Sequence, residues 1–185
     1  MIKYKNTFLQ LLVGILLIMA IFLMLKNNKK RSNNMKLTYK KNKEILKKYF
    51  ESWETKDIEG ITNSLSEDYI SYVYPVMIPK GFPQTKDELI KAIKNPAYTT
   101  DVEFGHTIFL PGLDTVNLEL DGSVRVYSAK SFTTENGKKI ELSVYETYDF
   151  RNDSIYQSHA FFDIEGYLQK MDEAWKEIES YKRLN

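Results

Sequence analysis

Three ionisable side chains interrupt otherwise apolar strand faces, and the chemistry this chain could do starts from them. Across residues 138–151, alternation puts Ile140, Leu142, Val144, Tyr148 and Phe150 on one face and Lys139, Glu141, Ser143, Thr147 and Asp149 on the other. Glu146 falls on the apolar side, where an isolated carboxylate is costly unless it is paired, neutralised or wetted by a cavity. Val102, Phe104, His106, Ile108 and Leu110 share the face of an earlier strand, and Val124, Val126, Ser128, Lys130 and Phe132 that of the next. If these apolar faces line a hollow, His106, Lys130 and Glu146 all meet inside it. The last strand, 154–163, admits two orientations: Gln157, His159 and Asp163 inward with Ile155 and Phe161, or Tyr156, Ser158 and Phe162 inward.

A desolvated carboxylate in such a hollow is suited to general-base work near neutral pH, with His, Lys or Tyr donating to a developing oxyanion. Glu146, Asp163 and His159 are the catalytic candidates; His106, Lys130, Trp53, Tyr49, Tyr72 and Tyr148 are the candidate ligand contacts. Each also has an ordinary role. Lys130 and Glu146 make a cross-strand ion pair, His106 a satisfied core histidine, and Asp163 a cap for a helix starting at Ile164. Only their convergence on one wall argues for a small-molecule site.

The elements that must position these groups follow from periodicity. Ile45, Leu46, Tyr49, Phe50 and Trp53 recur at helical spacing within about 37–54, giving an amphipathic helix whose apolar face needs a sheet to cover it. Asp57 is placed to cap a short helix carrying Ile58, Ile61 and Leu65. A strand over 69–74 follows, whose Tyr69, Ser71, Tyr72 and Tyr74 bring hydroxyls to a cavity mouth. Pro75, Pro79, Gly81 and Pro83 predict a loop. Thr85 with Glu88 forms a capping box for a helix through Lys94 that Asn95-Pro96 ends. The first long strand stops at Pro111-Gly112, and Val116, Leu118 and Leu120 alternate before a hairpin turn at Asp121-Gly122. Glu135-Asn136-Gly137 and Asn152-Asp153 supply further turns. Ile164, Leu168, Met171, Trp175 and Ile178 predict a closing helix. The order is that of an α+β domain with helices on one side of a curved antiparallel sheet.

The chain has 185 residues, 43% hydrophobic and 28% charged, enough for one globular domain and an appendage. Its net charge of +1 argues against a nucleic-acid partner. Zero cysteines exclude disulfides, thiolate metal sites and cysteine nucleophiles, and two histidines argue against a histidine-rich metal centre. No cofactor is implied. From Phe8 to Leu25 the residues are apolar except Gln10, a length that spans a bilayer's roughly 30 Å hydrocarbon core as one helix. The run is long for a signal peptide and no small-x-small pair precedes Lys26, so an uncleaved single-pass anchor is expected. Lys26, Lys29, Lys30, Arg31 and Lys36 outnumber Lys3 and Lys5, which favours a cytoplasmic C-terminal domain.

Two segments carry a family resemblance. KKYFESWETKDIEGITNSLSEDYI at the start and NGKKIELSVYETYDFRNDSIYQSHAFFDIEGYLQKM at the end resemble the SnoaL-like branch of the nuclear transport factor 2-like superfamily, relatives of polyketide cyclases and ketosteroid isomerases. His159 and Asp163 match the His and Asp of that branch's ending; Asn152-Asp153-Ser154 stands where the branch has a turn glycine, and Ala160 where it has a large aromatic. The resemblance implies a cone of curved sheet wrapped around a long helix, a ligand cavity inside, and an Asp or Glu there as acid or base.

The expected organisation is an anchor at 1–25, a basic polar linker at 26–36, a cone domain at 37–172 and a helical extension at 173–185. The expected function is binding of a small apolar or amphipathic ligand at the membrane, with isomerase- or cyclase-like chemistry. The alternative is a non-catalytic module whose open sheet binds a partner protein or a second copy.

Overall fold

The computed structural model describes residues 2–74, 80–94, 101–133 and 138–163, and within 164–173 residues 166, 169, 170, 172 and 173, with side chains from residue 16 onward. The expected loop residues 75–79, the helix stop at Asn95-Pro96, the turn at 135–137, the apolar stripe of the closing helix and its extension at 173–185 lie outside the described residues.

The chain opens with one helix, α1 (Ile2–Glu54), followed by α2 (Ile58–Ser64), β1 (Leu65–Tyr74), β2 (Phe82–Thr85), α3 (Lys86–Ile93), β3 (Asp101–Leu113), β4 (Leu120–Thr133), β5 (Lys139–Arg151) and β6 (Ser154–Phe161). The strands form one six-stranded open sheet in the order β2-β1-β6-β5-β4-β3. The pairing of β1 with β6 is parallel and the other pairings are antiparallel, so the sheet is mixed and not the wholly antiparallel one expected.

α1 is uninterrupted because no proline and only Gly14 occurs before Gly60; residues 26–36, expected as a linker, are part of the same helix. Among the described residues no helix is long and apolar enough to cross a membrane, and part of the 8–25 run falls on residues 2–15, whose side chains are outside the description. α1 ends as Lys56 takes φ 56°, with the Asp57 N–H bonded to the Ser52 carbonyl at 2.8 Å. Asp57 then caps α2 through the Gly60 N–H at 2.9 Å, and Thr85 with Glu88 closes the capping box of α3, as their spacing predicts.

The C-terminal half of α1 lies across the sheet. Leu46, Tyr49 and Phe50 pack with Ile61, Leu65, Val124, Val126, Tyr148 and Ile155, and α3 adds Leu89, Ile90 and Ile93 at the border. β4 approaches α1 closely at Gly122, whose φ is 84° and whose carbonyl accepts from the buried Asn42 Nδ2 at 2.8 Å; an added Cβ would sit 3.0 Å from Thr38.

Four expectations are corrected. β2 occupies part of the predicted loop, accommodating Pro83 because it is an edge strand with no ladder beyond it. β3 continues through Pro111-Gly112. The β3–β4 turn is not at Asp121-Gly122 but at Asp114–Glu119, where the Asp114 carboxylate accepts the Val116 and Asn117 N–H groups; Val116 and Leu118 are therefore in a turn, fully exposed, and not in a strand. Finally, two bulges reverse the strand faces. Phe104 pairs with Lys130 but Thr107 with Ser128, which adds one residue to β3; Asp149 pairs with Gln157 but Phe150 with Ile155, which adds one to β6.

Candidate functional site

Position in the register assigns the sheet's two faces. On β4 and β5 the expected alternation holds: Val124, Val126, Ser128 and Lys130 stand opposite Tyr148, Glu146, Val144 and Leu142, all turned toward α1. Lys130 and Glu146 meet across two rungs of the inner face, with Ser128 and Val144 between, Nζ to Oε1 at 2.7 Å, with side chains only 12% and 9% exposed. The ammonium also lies 4.8 Å from the ring centre of Phe104 and 5.7 Å from that of Phe50, two rings stacked 4.1 Å apart. These contacts hold one carboxylate oxygen. The other, Glu146 Oε2, is buried with no hydrogen-bond partner among the described residues, and so is Ser128 Oγ.

Both charged groups line a cavity of about 190 Å³ between α1 and the sheet, closed by Tyr49 and Trp53 from α1, Tyr69 from β1, and Tyr148 from β5. Burial pushes the phenols of Tyr49 and Tyr148 well above their usual range, and the Glu146 carboxylate beside Tyr148 adds to its rise; burial likewise raises Tyr69. These hydroxyls stay protonated and act as donors. Tyr69 is oriented by a 2.7 Å hydrogen bond with Ser158 on the parallel neighbour strand. The wall thus combines an unpartnered but buried acceptor, several neutral donors and aromatic faces, which suits a small uncharged molecule that can donate a hydrogen bond. At 190 Å³ the space is below the roughly 300–1,000 Å³ of drug-sized sites.

Of the residues singled out by sequence, Glu146, Lys130, Tyr49, Trp53 and Tyr148 come together here. His106 does not: the β3 bulge turns it to the exposed outer side, and Phe109, not Ile108 or Leu110, packs on the core. β6 follows neither expected orientation throughout. Its bulge lets Ile155, Ser158 and Ala160 face inward, which puts His159 on the opposite side. There the His159 ring stacks on Tyr72 at 5.3 Å and its Nδ1 bonds Tyr74 Oη at 2.9 Å, so the Tyr72 ring also belongs to the outer face although the residue borders the cavity. Burial lowers the His159 pKa and raises that of its neighbour Asp149. Asp163 lies past the end of β6, exposed, and accepts the Gly166 N–H at 2.9 Å, the capping role. Tyr69, expected at the cavity mouth, and Ser158, inward in one of the two expected orientations, both line the cavity, although neither is among the candidate ligand contacts.

No family model and no curated protein matches the sequence. Solved structures do match. A candidate isomerase from Bacillus subtilis is 16% identical at a TM-score of 0.55, over 68% of this chain and 88% of that one. A candidate polyketide cyclase from Xanthomonas campestris pv. campestris is 12% identical at 0.56, over 70% and 96%. A nuclear transport factor 2-like protein of unknown function from Burkholderia pseudomallei K96243 is 18% identical at 0.50, over 70% and 95%. Identities this low speak for the shared backbone and not for shared chemistry. With TM-scores of 0.50 to 0.56 over 68–70% of this chain, and with its own long helix packed across a six-stranded open sheet, the chain has the nuclear transport factor 2-like fold.

Proposed function

We propose that this protein binds a small uncharged ligand inside its cone and uses Glu146 as the proton acceptor toward it, as an isomerase or cyclase would. The observation that carries the reading is the lone Oε2 of Glu146. A buried carboxylate oxygen without a donor costs about 1–3 kcal/mol or more, and here it lies in the lining of a cavity, from which a ligand hydroxyl or an acidic C–H that displaces the surrounding side chains would reach it. Lys130 holds the other oxygen beside aromatic walls, while the Tyr49, Tyr69 and Tyr148 hydroxyls are poised to donate to a carbonyl whose charge develops as the proton leaves. We also propose that the 8–25 run anchors the protein in a bilayer, since every large apolar side chain from Leu16 to Leu25 stands exposed around α1, with the domain on the cytoplasmic side that the Lys/Arg bias favours.

The test is a thermal-shift screen of the full chain in detergent against small enolisable ketones, phenols and alcohols. A ligand at a hundred times its Kd raises stability by about 2.7 kcal/mol. Glu146→Gln is expected to lose that shift and any turnover. Equal binding and turnover by the variant would remove Glu146 from the role.

A second reading has its own observation. On the outer face Ile108, Tyr127, Tyr145, Phe161 and Tyr74 stand on one rung across five strands, with Tyr127 51% and Phe161 41% exposed. Such a row suits a partner protein or a second copy. Sedimentation of the parent and of Tyr127→Glu separates the readings: a mass that falls in the variant supports the interface, and a monomer in both removes it.

A further inference from the structure

We propose that the β3–β4 turn, Asp114–Glu119, is a second membrane contact, pressing Val116 and Leu118 into the bilayer interface beside α1. The inference rests on the membrane-anchored reading of the 8–25 run.

Val116 is 92% exposed and Leu118 72%, with Leu113 47% exposed at the base of the turn. Aliphatic side chains at the tip of a water-facing turn lose nothing by being replaced with polar ones, and Leu118 in addition holds φ 58°, a conformation that glycine or asparagine adopts at less cost. The backbone of the turn is nonetheless satisfied from within. The Asp114 N–H bonds the Glu119 carbonyl at 2.8 Å, the Leu118 N–H bonds the Asp114 carbonyl at 2.9 Å, and the Glu119 N–H bonds Asn117 Oδ1 at 2.8 Å. Together with the two N–H groups held by the Asp114 carboxylate, this satisfies five of the turn's backbone N–H groups from within, which lowers the cost of moving it into the bilayer interface.

Its position points the same way. The β3–β4 hairpin runs along α1 toward the helix's N-terminus. Phe109 meets Tyr39 through a 3.0 Å hydrogen bond, Gly122 lies against Met35 and Thr38, and Glu119 pairs with Arg31 at 3.1 Å. Arg31 is six residues beyond Leu25, about 9 Å along the helix axis, and the headgroup zone is roughly 5–8 Å thick. Arg31, and Glu119 with it, therefore stands at the outer edge of the headgroup zone, with the rest of the turn beside it. Lys26, Lys29, Lys30 and Arg31 surround that level with positive charge, which suits anionic headgroups. The Glu119 charge is paired with Arg31, and the Asp114 carboxylate is turned back onto the Val116 and Asn117 N–H groups. Glu54, at the other end of α1, is about 44 Å from Leu25 along the axis, which puts the β5 residue Ser143, near that far end, in water. Two contacts, helix and turn, would fix the tilt of the cone over the bilayer where the helix alone leaves it free to swivel.

Because the chain has no cysteine, single-site labelling is clean. Val116→Cys, Ile21→Cys and Ser143→Cys, each in the full chain with a nitroxide label and reconstituted in phosphatidylglycerol–phosphatidylcholine vesicles, are compared for collision with oxygen and with a water-soluble nickel complex. The label at 21 is expected to be oxygen-rich and shielded from nickel, the label at 143 the reverse, and the label at 116 intermediate, more shielded from nickel than 143. A label at 116 that behaves like 143 while 21 is shielded overturns this inference and leaves the anchor standing. A label at 21 open to nickel overturns the anchor, and this inference with it.

Discussion

The two faces of the sheet are built from the same strands, residue by residue, and treat polar side chains in opposite ways. On the inner face every charge is answered: Lys130 and Glu146 pair at 2.7 Å between aromatic rings, and Tyr69 and Ser158 bond each other. On the outer face Arg125 sits 4.0 Å from Asp149, Lys139 pairs with Glu103 and large aromatics lie open to solvent. Water reaches the Lys139–Glu103 pair and the exposed rings directly, and less of it reaches Arg125 and Asp149. The comparison teaches where an unpaired atom is informative. An unpartnered oxygen outside says nothing, whereas Glu146 Oε2 inside marks a place where something else is meant to donate.

The sharpest way to break this contrast is Lys130→Met. It leaves a buried carboxylate with no counter-charge, and a loss of about 3–5 kcal/mol is expected in denaturant unfolding. Adding Glu146→Gln to the same chain is expected to restore most of it, because the pair's mutual attraction mainly offsets its own desolvation. Recovery of nothing would show that Lys130 matters for packing and not for charge. A smaller effect, about 1–2 kcal/mol, is expected from Tyr69→Phe, which strands the Ser158 hydroxyl in the core. The equivalent change outside, Tyr127→Ser, is expected to stay within about 0.5 kcal/mol in the monomer; a loss as large as that of Tyr69→Phe would erase the distinction between the faces.

The smallest effect is in pH dependence, from the outer-face His159. Its folded pKa lies below the unfolded value, so the unfolded chain takes up the proton first as pH falls through about 6.5. Stability is therefore expected to fall slightly from pH 7.5 to pH 5.5, with His159→Gln flattening that slope. Asp149 works in the other sense: its folded pKa is raised, so the strain of keeping it charged is relieved as pH falls toward the acid range. An unchanged slope in the histidine variant would mean that His159 is as well solvated folded as unfolded.

What could be read without coordinates was local. The caps at Asp57 and Thr85, the helical stripe of Leu46, Tyr49, Phe50 and Trp53, and the shared face of Lys130 and Glu146 all depend on spacing within one element, and spacing is written in the chain. What was misread depends on the partner strand. One extra residue in β3 turned His106 outward, one in β6 split its face between Ile155 and Ser158, and neither insertion is visible until the neighbour's register is known. Likewise, Asp121-Gly122 reads as a hairpin turn by composition, but Gly122 instead serves the close approach of β4 to α1.

The sequence by itself determined which residues are apolar at which period, and therefore that a carboxylate and an ammonium would face the same core. Tertiary structure alone decided that they touch, that one oxygen is left unpartnered in the lining of a cavity, and that both histidines lie on the other side. The physical reason is that side-chain direction along a strand has a period of two, so a single inserted residue inverts it, and only pairing between distant segments determines where that residue goes.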